Sequence, residues 1–284
     1  MYIVAGVSGH VGSVVAEQLL AKGEKVKVIV RDPAKGMAWS KRGAEVAVGS
    51  LEDAAFLTTA FKGATAAFLL VPPDFAAADV FAAQRKVGDA FASAVKSSGL
   101  SHVVLLSSIG ADLEAGTGPI KGLNYAEKAL RGAGTTLTAI RAGYFQENAG
   151  HVIGVAKEKG IFPTYMPAAA PTPMIATRDI GQLAAESLLA KPSKSENVDL
   201  HGPTYTGHQV AEKLGAALGK KLQVVEIPRE GWLGAMAQSG MPKPWAESYV
   251  EMYGGFMSGA VKPSGDRMAH GKTELDATLK TLIG

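Results

Sequence analysis

The segment from Tyr2 to Leu19 restricts the fold of this chain more than any other. An apolar run, Tyr2–Ala5, stops at Gly6. Glycines recur at Gly6, Gly9 and Gly12, and Val11, Val14, Val15 and Leu19 then repeat with helical spacing. That is the pattern of a strand, a tight glycine turn and the start of a helix. Glycine has no Cβ to hold a ligand off the backbone. The unpaired N–H groups and the positive dipole end of the new helix face the same spot. A pyrophosphate suits such a turn, so the segment predicts a dinucleotide site built from Gly6, Ser8, Gly9, His10, Val11 and Gly12. The spacing is G-x-x-G-x-x-G, not the G-x-G-x-x-G of most dehydrogenases, and its placement between strand and helix gives it weight. His10 reads equally as a phosphate donor or as an exposed polar residue opening the helix.

The rest of the chain supplies the core such a site needs. Strand-like and helix-like segments alternate to about residue 142: strands at Lys25–Val30, Ala44–Val48, Ala66–Val71, His102–Leu106 and Thr136–Ile140, with helices between them. The long helix is expected over about Phe75–Ser98 and the next over Leu123–Arg131. The run Ala66–Val71, ended by Pro72 and Pro73, fits a parallel strand buried on both faces. This rhythm predicts an α/β fold, a doubly wound parallel sheet of the Rossmann type. Ligands of such sheets lie at the carboxyl ends of the strands, which gathers the glycine turn, Arg31, Val71–Pro73, Ser107–Ser108 and Arg141–Tyr144 around one crevice. Residues 1–150 are assigned to the cofactor domain. Residues 151–284 are assigned mainly to a smaller C-terminal substrate lobe, with 175–200 returning to the Rossmann core. Gly160–Pro173 is expected to be a loop, and the polar tail from Asp266 to be peripheral. Gly231–Gly259, rich in Met, Trp, Tyr and Phe, reads either as helices roofing the crevice or as ordinary helix packing.

Composition narrows the function. At 284 residues, with 47% apolar residues, the chain can bury a large core. A net charge of +3 with scattered Lys and Arg gives no case for nucleic acid. Cysteine is absent and the six histidines lack ligand spacing, so neither a thiol nucleophile nor a metal is expected. No leader precedes the first strand and no apolar run approaches the roughly 18 residues of a membrane span, so a cytoplasmic protein, monomer or homodimer, is expected.

Arg31 ends the second strand, where many NAD enzymes carry an acid for the ribose hydroxyls. A cation there fits the 2′-phosphate of NADP, with Lys35 in support. Asp32, before Pro33, is better placed as a helix cap. Tyr125 and Lys128 are three residues apart, whereas the Tyr/Lys couple of short-chain dehydrogenases needs four, and Asn124 holds the expected tyrosine position. Lys128 then reads either as an electrostatic aid beside the nicotinamide ribose or as a surface residue. Ser107 or Ser108 either bonds a substrate oxygen or closes its strand.

Several stretches together resemble the NmrA-like proteins of the atypical short-chain dehydrogenase/reductase superfamily: Gly6–Gly12 (GVSGHVG), Val30–Pro33 (VRDP), Gly49–Asp53 (GSLED), Phe68–Pro73 (FLLVPP), Glu127–Leu130 (EKAL), Arg141–Asn148 (RAGYFQEN), Thr177–Gly181 (TRDIG) and His201–Pro203 (HGP). The resemblance covers roughly residues 1–260. It implies a Rossmann domain with a small C-terminal lobe, NADP(H) as cofactor, and a function among quinone, azo-dye and triphenylmethane-dye reductases or NADP-sensing regulators. By motif, Leu70, Val71 and Pro72 border the ribose and adenine. Lys128 lies by the nicotinamide ribose, and Tyr144, Phe145 and Asn148 line the space beside the nicotinamide. Ser50 departs from the acid common in the family, and Ala142 from its Pro or Asn.

The leading expectation is a reductase passing hydride from NADPH to a flat aromatic or conjugated acceptor such as a quinone or azo dye. Lys128, Ser108 and Tyr144 are its candidate catalytic residues, and Phe145, Asn148, Trp232 and Met236 its pocket. The alternative is an NADP(H)-sensing binder without turnover, because the cofactor features are the same in both.

Overall fold

The computed structural model describes residues 1–284 throughout. In chain order the elements are β1 (Tyr2–Ala5), α1 (His10–Ala21), β2 (Val26–Val30), α2 (Pro33–Ser40), β3 (Glu45–Val48), α3 (Ala54–Phe61), β4 (Ala66–Leu70), α4 (Val80–Ser98), β5 (His102–Ser108), α5 (Ile120–Gly132) and β6 (Thr136–Ala142). They continue with β7 (Tyr144–Phe145), α6 (Ile153–Lys159), β8 (Ile161–Thr164), β9 (Thr172–Ile175), α7 (Thr177–Leu189), β10 (Glu196–His201), β11 (Thr204–Tyr205), α8 (Gly207–Leu218), β12 (Gln223–Glu226), α9 (Trp232–Gln238), α10 (Lys243–Met257), β13 (Arg267–His270) and α11 (Leu275–Ile283).

Eight strands form the central sheet in the order β13-β10-β6-β5-β4-β1-β2-β3, and every pairing in it is parallel. This is the doubly wound sheet the alternation of segments predicts. Alternate strand residues feed two cores. Tyr2, Val4, Phe68 and Ile140 join α1 and α7 on one face, and Ile3, Ala5, Leu69 and Leu137 join α3, α4 and α5 on the other. β1 pairs with β2 on one side and β4 on the other, so the crossovers diverge there and leave a crevice at the carboxyl end of β1. Gly181 lets α7 lie close on α1, since a Cβ there would stand 2.6 Å from that of Val14.

Three expectations are corrected. The long helix begins at Val80, not Phe75: Asp79 caps it, accepting from Ala82 N at 2.9 Å, while Pro72 and Pro73 keep the preceding chain extended. Gly160–Pro173 is not all loop, because β8 pairs with β12 and the chain re-enters a strand at Thr172. The tail is not peripheral. β13 is an edge strand of the main sheet, and Leu275 and Leu279 of α11 are buried in the core of the smaller lobe. Its polar residues hid this, since an edge strand exposes much of its surface and α11 buries only one face.

That lobe has its own apolar centre around Phe162, Met174, Tyr205 and Leu214. A second knot, Trp232, Met236 and Ala246, joins α9 to α10. No helix is long and apolar enough to cross a membrane.

Candidate active site

The glycine turn sits where β1 ends. Gly6 has a φ of +69°, a left-handed conformation that disfavours other residues, and its missing Cβ leaves room for Leu70. At Gly12 a Cβ would overlap the Gly6 carbonyl and come within 2.6 Å of the Ala5 oxygen, so Gly12 holds helix to strand. Gly9 differs: its nearest neighbour would be Gly6 O at 3.5 Å, and the residue is exposed. Gly9 therefore keeps the space in front of the turn clear.

No side chain caps α1, whereas Asp32, Asp53 and Asp79 cap α2, α3 and α4. The first bond back to the turn runs from Ser13 N to Gly9 O, which leaves the amides of His10, Val11 and Gly12 for a ligand. Val11 contributes its amide alone, because its side chain is buried. Ser8 and His10 are exposed beside the turn.

Arg31 and Lys35 are exposed and stand in no ion pair. Asp32 spends its carboxylate on Ala34 N at 2.9 Å. The cation, not the acid, is thus free at the end of β2. Leu70, Val71 and Pro72 are half-buried at the end of β4.

The other wall is aromatic. α10 spans the loops after β4 and β5: Trp245 Nε1 donates to Asp74 O at 2.7 Å, and Glu251 accepts from Gly116 N at 2.9 Å. Trp245, Tyr249 and Tyr253 recur every fourth residue and so share one face. Their centroids are 6.1 and 6.4 Å apart, and exposed Phe75 extends the row at 4.9 Å from Trp245. Tyr165 joins at 5.2 Å from Tyr253. The phenol of Tyr144 meets those of Tyr253 and the Asn148 side chain. Burial pushes the Tyr144, Tyr165 and Tyr249 phenols up, and Tyr253 well up. The cluster is neutral around pH 7, with hydroxyls as its polar groups.

Several expected residues are buried or already paired within the protein. Trp232 and Met236 are each 1% exposed, and Trp232 Nε1 donates to Ile227 O at 2.8 Å. They back the wall rather than line it, because a satisfied indole at the centre of α9 and α10 is core. Lys128 is exposed on α5 and ion-paired with Glu114, also exposed. The inward positions of that helix go to Asn124, which donates to Ala111 O at 2.8 Å, and to Glu127. Ser107 is buried and donates to Glu127 at 2.6 Å, and Ser108 donates to the carbonyl of Ile109 at 3.0 Å. Phe145 packs on the Rossmann core and Tyr144 on the smaller lobe, so both stand at the seam. Tyr165, Tyr249 and Tyr253 escaped the sequence reading, although the spacing of the last two with Trp245 marked a helical stripe. A depression of about 490 Å³ between α3 and α4, lined by Glu52, Arg85, Lys86 and Asp89 among others, lies outside this constellation.

The profile of the NmrA-like family matches residues 2–278. An NAD(P)H azoreductase of Xenophilus azovorans is 29% identical over 257 residues, covering 89% of this chain and 86% of the relative. Quinone oxidoreductase 2 of Escherichia coli is 26% identical over 260 residues, 88% of this chain and 86% of the relative. Among solved structures, an NADPH-dependent quinone oxidoreductase of Escherichia coli complexed with NADPH superposes with a TM-score of 0.84, at 22% identity and full coverage of both chains. The triphenylmethane reductase of Citrobacter sp. does so with 0.83, at 20% identity and 99% coverage of both.

Proposed function

The chain belongs to the NmrA-like family, and from that premise we propose an NADPH-dependent oxidoreductase that passes hydride to a flat conjugated acceptor such as a quinone or an azo dye. The observation that carries this reading is the uncapped start of α1 behind its glycine turn, with unpaired Arg31 at the neighbouring strand end. These residues fit a dinucleotide phosphate. The amides of His10, Val11 and Gly12 would hold the pyrophosphate, and Arg31 with Lys35 the 2′-phosphate. Leu70, Val71 and Pro72 would border the adenine ribose. When bound, the nicotinamide supplies a hydride.

The protein's share of the work is placement. Hydride transfer depends on close, aligned approach of donor and acceptor. Tyr144 and Phe145, one residue beyond β6, would stack the acceptor, with α10 over Tyr144 to exclude water. Burial of apolar rings is favourable at about 25 cal/mol per Å², whereas a polyol would surrender water to a wall offering few partners. The wall of phenols, indole and one carboxamide therefore selects conjugated acceptors over sugars or small hydroxy acids. The azoreductase and quinone oxidoreductase among the relatives support that class.

The test is steady-state oxidation of NADPH with a panel of quinones, azo dyes and enones. Turnover with one or more of them is expected. Tight NADPH binding with no turnover on any would reject the enzyme and favour a cofactor-sensing regulator, to be pursued by partner capture with and without NADP.

A further inference from the structure

We propose that Tyr144 gives the proton that accompanies hydride transfer to a carbonyl acceptor, and that Tyr253 and Asn148 are positioning residues that aim its hydroxyl. The inference rests on the reductase reading above and adds to it the source of the second hydrogen.

Reduction of a quinone to a hydroquinone consumes one hydride and one proton, so a single hydrogen besides the hydride has to be supplied. The usual Tyr/Lys couple is not available, because Asn124 occupies the tyrosine position and donates to Ala111 O. The other nearby donors are already committed. Ser107 is bonded to Glu127, Ser108 to Ile109 O, Arg141 to Glu127 through two nitrogens, and Lys128 to Glu114 at the surface. Tyr144 remains. It lies one residue beyond the carboxyl end of β6, and its backbone is pinned by the pairing of β7 with β9.

Its surroundings are those of a donor. Its phenol meets Tyr253 from α10 and Asn148 from the turn after β7. Tyr253 is the harder of the two phenols to ionise, pushed well up by burial and by Tyr144. In the proposed arrangement Tyr253 and the Asn148 amide donate to the Tyr144 oxygen. A phenol oxygen accepting two hydrogen bonds has both lone pairs engaged, so the one hydrogen left to point at a ligand is its own. The same two contacts favour the phenolate formed after transfer and work against the burial that resists it. The O–H bond of Tyr144 breaks and an O–H bond forms on the acceptor as hydride arrives. Solvent then returns a proton to the Tyr144 phenolate, and the balance closes with one hydride and one proton on the acceptor.

A cationic triphenylmethane dye separates this role from packing. Its central carbon takes hydride alone, giving the neutral leuco dye with no proton required. The experiment compares kcat for a naphthoquinone with kcat for such a dye in wild type, Tyr144→Phe and Tyr253→Phe, with solvent isotope effects. The quinone-to-dye ratio is expected to fall at least about a hundredfold in Tyr144→Phe, the lower end of general-acid contributions, and by a smaller factor in Tyr253→Phe. A solvent isotope effect is expected on the quinone and not on the dye. Equal losses on both acceptors, or an unchanged ratio, would overturn the proposal. Binding of the naphthoquinone to the NADP⁺-loaded protein, read by tryptophan fluorescence, is measured alongside. Tyr144→Phe should weaken it about fivefold, the worth of one hydrogen bond. If wild type turns over neither acceptor, the reductase reading fails by itself. Unaltered or absent quinone binding would then also remove Tyr144 as the donor to the acceptor.

Discussion

Arg141 of β6 and Glu127 of α5 form a two-pronged ion pair, Nε to Oε1 at 3.0 Å and Nη2 to Oε2 at 2.7 Å, with both side chains 5% exposed. Glu127 also accepts from Ser107 of β5, and Arg141 donates to Ser264 Oγ at 3.0 Å. The pair ties α5 to the carboxyl ends of the two strands beside which Tyr144 emerges. Burial lowers the affinity of Arg141 for its proton, but Glu127, Asp112 and Asp199 outweigh it and hold the guanidinium charged.

Glu127→Ala would leave that charge without its partner in the interior. Breaking a buried pair from one side costs about 3–5 kcal/mol, a large share of a domain's stability. We expect a markedly lower urea midpoint in Glu127→Ala and a smaller loss in Glu127→Gln, which keeps an acceptor for Ser107. Equal midpoints in wild type and Glu127→Ala would show that solvent reaches the pair.

Gly9 and Gly12 lie one turn apart and should fail differently. Valine at position 12 meets backbone, the Gly6 carbonyl and Ala5 oxygen, so it should destabilise the whole domain. Valine at position 9 meets nothing of the protein closer than Gly6 O at 3.5 Å, so it should fold and occupy the phosphate space. Thermal denaturation and NADPH titration of both variants separate the two. A folded Gly9→Val protein with unchanged NADPH affinity would move the pyrophosphate elsewhere.

The sheet and the turn were legible because each rests on local pattern. The run Ala66–Val71 read as a strand buried on both faces, which β4 is over Ala66–Leu69, and the Gly6–Gly12 turn carries its geometry in residues that lack a Cβ. The aromatic wall was only half legible. Trp232 and Met236 looked like pocket residues from their chemistry, but burial depends on which helices meet, and α9 turns them inward against α10. Tyr253 enters the site only because α10 lies over the loops after β4 and β5, a contact between residues more than a hundred positions apart. The buried charge of Arg141 carried a signal of its own, a cation inside the apolar strand Thr136–Ala142, whereas its partner Glu127 did not stand out on a polar helix.

Arg31→Ala should discriminate between cofactors. A charge-assisted hydrogen bond to phosphate is worth about 1.5–3 kcal/mol, so the NADPH dissociation constant should rise by roughly ten- to a hundredfold. NADH, which lacks the 2′-phosphate, should be affected far less. Equal weakening of both, measured by fluorescence titration, would remove Arg31 from the phosphate site.

Lys128→Ala should change little. Its ammonium is exposed and directed to exposed Glu114, so neither packing nor a buried charge is lost. Tm and kcat close to wild type are expected, and a fall in kcat of about tenfold or more, equivalent to 1.4 kcal/mol of barrier, would bring Lys128 back to the nicotinamide.

Acid should loosen the fold through His102. This residue is 6% exposed on β5, its Nε2 is 3.3 Å from Thr138 Oγ1, and burial lowers its pKa below the ordinary 6.5. The unfolded chain therefore binds a proton at a higher pH than the folded one. Stability contributed by the neutral ring is intact above about pH 6.5, and is lost as pH falls from there through the folded-state value. His201 is shifted in the same direction, again by burial first, so it adds to the trend. Urea midpoints measured from pH 7.5 to 5.5 should decline in wild type and decline less in His102→Gln, which keeps a partner for Thr138 but does not titrate. Parallel declines in the two proteins would place the acid sensitivity in other groups.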